Sequence, residues 1–330
     1  MARNSRSDYA VFVFCIESSH TRGMGHLYRS LTLADALVRN GEDVHFLINA
    51  HEPSLQILKG RGYAHTIVDL ASEAGVWEAQ VLQCLRPSAW INDRLDTTAA
   101  HVECVKVKGL PVATFDDLGS GSAQSDLNVA ALVFDPAKVA RLQGKRILTG
   151  VDYLVLNPVI AHFRRTRTRL QSVLVTLGGA DTYGATVKVV RLLRNQPWQV
   201  TVVLGPAFAH HKALAEVIPG HFEIRHGVAS MAEEMARHDL AVTGGGMTPF
   251  EANAAGLPCL VVANEPFEIP VGQALESMGG CRFAGHHETI DALVFQSSLD
   301  IEGMSARAMA AVGLDGVHRV AKSLRELVWL

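Results

Sequence analysis

Short, continuously apolar runs alternate with segments of helical period along this chain, and the series occurs twice. Val11 to Phe14 is followed by a predicted helix from about His26 to Asn40 and then by Val44 to Ile48. Further strand candidates are Thr66 to Val68, Ala89 to Ile91, Pro111 to Phe115 and Leu127 to Leu132. A second series opens at Ser172 to Leu177 and runs through a helix near Ala185 to Arg194, Val200 to Leu204, Phe222 to Ile224, Leu240 to Thr243 and Cys259 to Val262. Runs that are apolar throughout suit strands covered by helices on both faces, so the expected fold class is α/β with two parallel-sheet, Rossmann-like domains. A length of 330 residues suits two domains of ordinary size. Residues 1–158 are expected to form the first domain, and residues 159–330 the second, with a linker and an amphipathic terminal helix from Val317 to Leu330.

Charge excludes some partners. Thirty Lys and Arg against 33 Asp and Glu leave a net charge of −3, so there is no global field to hold a nucleic acid or an anionic membrane. The stretch from Asn157-Pro158 to Gln171 carries Arg164, Arg165, Arg167 and Arg169 and reads as a solvated helical linker with its arginines outward, an anion-binding role being the alternative. The five cysteines are odd in number and widely spaced, which suggests neither disulfides nor a metal or redox pair. Met1 to Arg6 followed by Ala10 to Ile16 resembles a signal peptide, but the apolar run is short and passes into Glu17, so it reads as a first buried strand. With no apolar run near the roughly 20 residues that span a bilayer, a cytoplasmic protein is expected.

Three glycine clusters each lie between a predicted strand and a predicted helix: Gly23-Met24-Gly25, Gly178-Gly179-Ala180-Asp181 and Gly244-Gly245-Gly246-Met247-Thr248. Backbone N–H groups converge on an anion in such places, although glycine also serves there simply to make a tight turn. The first cluster is not a nicotinamide fingerprint: the third glycine of G-x-G-x-x-G is replaced by Tyr28, and the second strand ends in Ile48-Asn49 without an acidic residue. P-loop, HExxH, GxSxG and zinc-ligand patterns are all missing.

In the third cluster Thr248 is expected to cap a helix with Glu251 one turn in, where a carboxylate suits a sugar diol better than a phosphate. The pattern suggests a nucleotide with its diphosphate on the glycines and its ribose on Glu251; the alternative is a glutamate that complements the helix dipole. His26 begins a helix directly after two glycines, where a ligand can approach the backbone closely. Imidazole, with an unperturbed pKa near about 6.5, can take a proton from water or a hydroxyl at neutral pH.

The segments Gly23-Met24-Gly25-His26-Leu27-Tyr28-Arg29, Leu177-Gly178-Gly179-Ala180-Asp181 and Gly244 to Glu251 with Gly256-Leu257-Pro258 resemble the nucleotide-sugar enzymes of GT-B fold. Within these, the chain is most similar to the branch containing the pseudaminic-acid pathway UDP-sugar hydrolase and the spore-coat polysaccharide glycosyltransferase-like proteins. It is more loosely similar to the lipid II-forming N-acetylglucosaminyltransferase. The resemblance covers most of the chain, including Asn92 to Asp96, Phe115 to Gly119 and Gly150 to Tyr153. It implies two Rossmann-like domains facing across a cleft, with UDP held mainly by the second. Gly178, Gly179, Gly245, Gly246 and Met247 would then lie near the diphosphate, Glu251 at the ribose and the backbone of Val228 at the uracil. His26 matches the proposed catalytic histidine of the hydrolase, and Gly23, Gly25, Arg29 and Asp93 would belong to the sugar side. No cofactor and no metal are implied.

Two departures bear on which sugar is bound. The hydrolase branch has an Asp-x-Tyr segment where this chain reads Asn92-Asp93-Arg94, and extra residues through Pro266 and Pro270 separate Asn264-Glu265 from the ligand contact implied at Gln273. The leading expectation is hydrolysis of a UDP-linked modified sugar with His26 as base. The alternatives are transfer of that sugar to a carbohydrate acceptor, and nucleotide-sugar binding without turnover.

Overall fold

The computed structural model describes residues 10–18, 25–107, 109–179, 181–290 and 292–329. The chain divides into two compact units, Met1–Val155 with Asp315–Leu330, and Leu156–Leu314. The first unit carries β1 (Val11–Ile16), α1 (Gly25–Arg39), β2 (Asp43–Ile48), α2 (Glu52–Gly60), β3 (Ala64–Ile67), α3 (Glu78–Leu85), β4 (Ala89–Asp93), α4 (Ala99–Lys106), β5 (Val112–Phe115), β6 (Leu127–Ala130), α5 (Pro136–Val139) and β7 (Ile147–Thr149). Its seven strands run in the order β3-β2-β1-β4-β5-β6-β7, every pair parallel.

Side-chain alternation explains the layers. Phe12, Phe14 and Ile16 bury on one face of β1 with Leu27, Leu31, Ala34 and Leu37 of α1, whose three- and four-residue steps form one helical stripe. Val13 and Cys15 bury on the other face with Trp90 and with Val102 and Val105 of α4. Helix α1 stops where Gly41, at φ 88°, takes the left-handed conformation that only glycine adopts without strain.

The second unit carries α6 (Ile160–Phe163), β8 (Ser172–Thr176), α7 (Ala185–Leu193), β9 (Gln199–Leu204), α8 (His211–Ala215), β10 (Glu223–His226), α9 (Met231–Ala236), β11 (Leu240–Thr243), α10 (Thr248–Ala254), β12 (Cys259–Ala263), α11 (Ile269–Ser277), β13 (Cys281–His286) and α12 (Ile301–Ala311). Its six parallel strands follow the order β10-β9-β8-β11-β12-β13. Val173, Val175, Val200, Val202, Val242 and Leu260 form its core with Val189, Val190 and Leu193 of α7.

Two expectations are corrected. The terminal helix, α13 (Gly316–Trp329), belongs to the first unit, not the second. Its stripe of Val317, Val320, Ala321 and Leu324 is buried with Leu27 and Phe12, and Arg325 Nε donates to Glu42 Oε1 at 2.8 Å. Burial of each valine or leucine contributes about 1.5–3 kcal/mol, so this stripe anchors the helix firmly. The arginine-rich linker is helical only over Ile160–Phe163, and Arg167 is fully buried rather than outward. Its guanidinium donates to the carbonyls of Arg165, Met235, His238 and Ala255, thereby satisfying the C-terminal ends of α9 and α10. Burial pushes its pKa down to about 9, which still leaves it cationic at neutral pH. Among the described residues, no helix is long and apolar enough to cross a membrane.

Candidate active site

In each sheet the chain leaves a central strand in one direction and returns to place a later strand on its other side. The first sheet does this between β1 and β4, and the second between β8 and β11. The loops beyond the C-terminal ends of such strand pairs diverge and leave a crevice, which is where open α/β sheets bind ligands.

At the first of these points His26 stands in the opening turn of α1, and Asp93 ends β4 in register with Ile16. The His26 ring lies with Nδ1 2.6 Å from Asp93 Oδ1. Arg29, one turn along α1, donates to Asp93 from Nε at 3.0 Å and Nη2 at 2.5 Å, and from Nη1 to Asp116. Ser30 Oγ completes the set at 3.2 Å from Asp93 Oδ2. Burial alone would favour neutral Asp93, but Arg29 and His26 outweigh it and hold the carboxyl well below the usual range. Burial likewise opposes the Arg29 charge, and Asp93 with Asp116 more than restores it.

An ionised carboxylate can only accept, so the proton on this side of the imidazole sits on Nδ1 and the Nε2 lone pair is the basic one. That is the geometry of a general base held by a carboxylate. Arg29 and Asp93 were expected to face a sugar; the structure buries both, at 6% and 1% exposure, with their polar atoms committed to one another. Both lie against His26. Gly25 is exposed with open space where a side chain would stand, whereas Gly23 lies outside the described residues.

At the second point Gly178, at φ 99°, and Gly179 follow β8 and are exposed. The helix that follows offers no open end to an anion, because Asp181 accepts from the backbone N–H groups of Ala185 at 2.8 Å and Thr186 at 2.9 Å. Gly244, Gly245 and Gly246 follow β11. Here Gly246 is exposed and unobstructed, but Gly245 is buried and its N–H donates to Glu268 Oε2 at 3.3 Å. The same oxygen accepts from the Asn264 N–H at 2.7 Å. Burial raises the pKa of Glu268 against the pull of these amides. Glu268 comes from the segment between Asn264 and Gln273 that departs from the resembled family pattern.

Thr248 does not cap α10 as expected: it is the first helical residue, and the cap position is held by Met247 without a side-chain hydrogen bond. Glu251 lies in the first turn, half-buried, and its carboxylate accepts no hydrogen bond from any described residue. Burial pushes its pKa up to about 7, opposite to the direction in which a helix N-terminus moves a carboxylate. Val228 is half-buried in the loop after β10, and Gln273 is exposed one turn into α11. Sequence reasoning missed Asp116 and Glu268 as members of these clusters. The pair Asp116-Asp117 closing a buried strand was a usable signal for the first; nothing local marks the second. Among the described residues no group of His, Cys, Asp and Glu is arranged to hold a metal ion.

No family model matches the chain. Over 305 residues it is 24% identical to the spore coat polysaccharide biosynthesis protein SpsG of Bacillus subtilis, covering 86% of each. It is 25% identical over 267 residues to the Methanocaldococcus jannaschii protein named "Uncharacterized protein MJ1062", covering 74% of this chain but only 54%, about half, of that relative's length. Among solved structures it is similar to MurG of Acinetobacter baumannii, with a TM-score of 0.69 at 13% identity over 96% of this chain and 99% of the other. The calicheamicin glycosyltransferase CalG4 gives 0.63 at 14%, over 97% and 98%. The UDP-GlcNAc 2-epimerase of Neisseria meningitidis, solved bound to UDP-GlcNAc, gives 0.62 at 12%, over 96% and 100%. The two Rossmann-like units are therefore those of the GT-B fold.

Proposed function

We infer that this protein is a glycosyltransferase-type enzyme that takes a sugar from a nucleotide diphosphate, UDP by preference, and passes it to a hydroxyl-bearing carbohydrate acceptor in glycan or surface-polysaccharide synthesis. The observation that carries this is His26, poised by Asp93 with Nε2 as its basic atom at the crevice of the first sheet. The relative named for spore coat polysaccharide biosynthesis and the glycosyltransferases of like fold support transfer over the hydrolysis first expected.

In this account the acceptor hydroxyl gives its proton to His26 Nε2 as its oxygen bonds to C1 of the sugar. The bond from C1 to the diphosphate breaks, and the electron pair leaves with the diphosphate. Backbone N–H groups around Gly178, Gly179, Gly246 and Met247 stabilise that charge, with Gly25 near the sugar. Glu251 accepts from the ribose hydroxyls, the Val228 backbone meets the base, and Thr248 and Gln273 line the nucleotide site. Hydrolysis is the same step with water as acceptor.

The test is nuclear magnetic resonance of the anomeric and phosphorus signals of a panel of UDP-sugars, with and without oligosaccharide acceptors. A new glycosidic signal and free UDP, both dependent on acceptor, are expected. Free sugar without acceptor would mean hydrolysis, and donor binding without release under every condition would leave a binding protein.

A further inference from the structure

Asp93 is saturated: four donors, from His26, twice from Arg29 and from Ser30, engage its two oxygens. The plane of its carboxylate, and with it the orientation of His26, therefore follows the guanidinium of Arg29. That guanidinium is fixed in turn from its far side. Asp116 Oδ2 accepts from Nη1, and the Phe115 ring lies under the guanidinium carbon with its centroid 5.0 Å away. Asp116 is itself held, its Oδ1 accepting from the Leu132 N–H at 3.0 Å and its backbone at φ 48°, a left-handed conformation that aspartate tolerates better than most residues.

The charges count the same way. Two carboxylates face one guanidinium in a buried cluster, so one negative charge is left over while His26 is neutral and is balanced when His26 takes up a proton. Arg29 and Asp93 alone would already neutralise each other. Besides fixing the guanidinium, the second carboxylate supplies a negative charge that a further positive charge forming there would offset.

We propose that Asp116 is a positioning residue for His26, acting through Arg29 and Asp93: it locks the fork that orients Asp93 and supplies the negative charge that the imidazolium balances during transfer. This deepens the inferred function and rests on His26 being its base, but half of the test does not require turnover.

The protein is labelled with [15N]histidine and compared with Asp116→Asn, which keeps an oxygen for the Leu132 amide and removes the ion pair. In the parent, His26 is expected to show the two nitrogen shifts of a fixed Nδ1–H tautomer. In the variant these are expected to move toward a tautomer mixture. With a donor that the parent turns over, kcat is expected to fall about 10- to 100-fold with KM within about twofold. Arg29→Lys, whose point charge cannot fork onto Asp93, is expected to shift the spectrum in the same direction and covers the case in which Asp116→Asn does not fold. An unchanged His26 spectrum in both variants would overturn the proposal whatever the activity, and so would a changed spectrum with unchanged kcat. If the parent turns over no UDP-sugar, the inferred function fails, while the spectra still decide whether Asp116 positions His26.

Discussion

Asp93 Oδ1 lies 2.6 Å from Nδ1 of His26, and every lone pair of that carboxylate is already spoken for within the first unit. Asp93 is thus placed to hold His26, the proposed base, with no lone pair left over for a further donor. Asp93→Asn presents an amide that can turn its NH2 toward Nδ1 and stabilise the wrong tautomer. Turnover is expected to fall about 100- to 10,000-fold, with UDP affinity unchanged because the proposed nucleotide contacts lie in the second unit. Breaking a buried ion pair by losing one partner costs about 3–5 kcal/mol, so the kinetic comparison is made well below the variant's melting temperature. A parallel loss of UDP affinity would contradict the division of labour.

Glu251 gives a pH signature. Burial raises its pKa from 4.5 to about 7, so the native state prefers the neutral acid. The stability this contributes is fully present below pH 4.5 and is lost as the pH rises through 7, an effect of order 3 kcal/mol at most. Urea denaturation at pH 5 and pH 8 should show the parent losing stability relative to Glu251→Gln as the pH rises. If the carboxylate accepts from a ribose diol, Glu251→Gln should also weaken UDP binding more at pH 8 than at pH 6. Equal effects at both pH values would remove the ribose role.

Glu268 occupies the Gly245 amide, one of the groups the sequence pattern suggests for a diphosphate. Its carboxylate accepts from Gly245 N–H, and a methyl group on Gly245 would meet Glu268 Cβ at 2.6 Å. A diphosphate using that amide must first displace the carboxylate. Glu268→Gln, which lowers the charge without shortening the side chain, is expected to tighten UDP binding several-fold, of order 1 kcal/mol, in titration calorimetry. Weaker binding would mean that Glu268 helps to build the site rather than competing for it.

Arg167 satisfies four main-chain carbonyls from full burial. Arg167→Met keeps the length but removes the four hydrogen bonds of a buried guanidinium, while Ala255, Met235 and His238 keep the donors Arg165 N–H, His238 N–H and Arg165 Nη2, and is expected to cost about 2–4 kcal/mol of stability. Denaturant titration reads this directly; an unchanged midpoint would show that the remaining donors, or water, satisfy the same carbonyls.

How much of this was legible in the chain follows from the range of each interaction. Val11 to Phe14 and Ala89 to Ile91 are continuous apolar runs and Val200 to Leu204 is broken only by Thr201, and each proved to be an interior strand with both faces covered. The edge strand Cys281–His286 was missed because Arg282, Gly285 and His286 break any such run, and Ile147–Thr149 because it is only three residues long. An amphipathic stripe announces that α13 packs but not on which unit. A run of arginines announces charge but not carbonyl partners 68 to 88 residues away. His26 was found from its place after two glycines, a local signal. Asp116 is marked locally only by the Asp116-Asp117 pair closing a buried strand, which does not say that its partner Arg29 lies 87 residues away, and Glu268 becomes visible only once β11 and β12 lie side by side.

The most direct test of the central claim is His26→Ala, with donor turnover and UDP dissociation constant measured on the same preparation. The expected result is loss of turnover with the UDP constant unchanged within about twofold, because the imidazole acts only as the proton leaves the acceptor. Turnover that survives the substitution, or falls only as far as UDP binding falls, would contradict the assignment of His26 as the base.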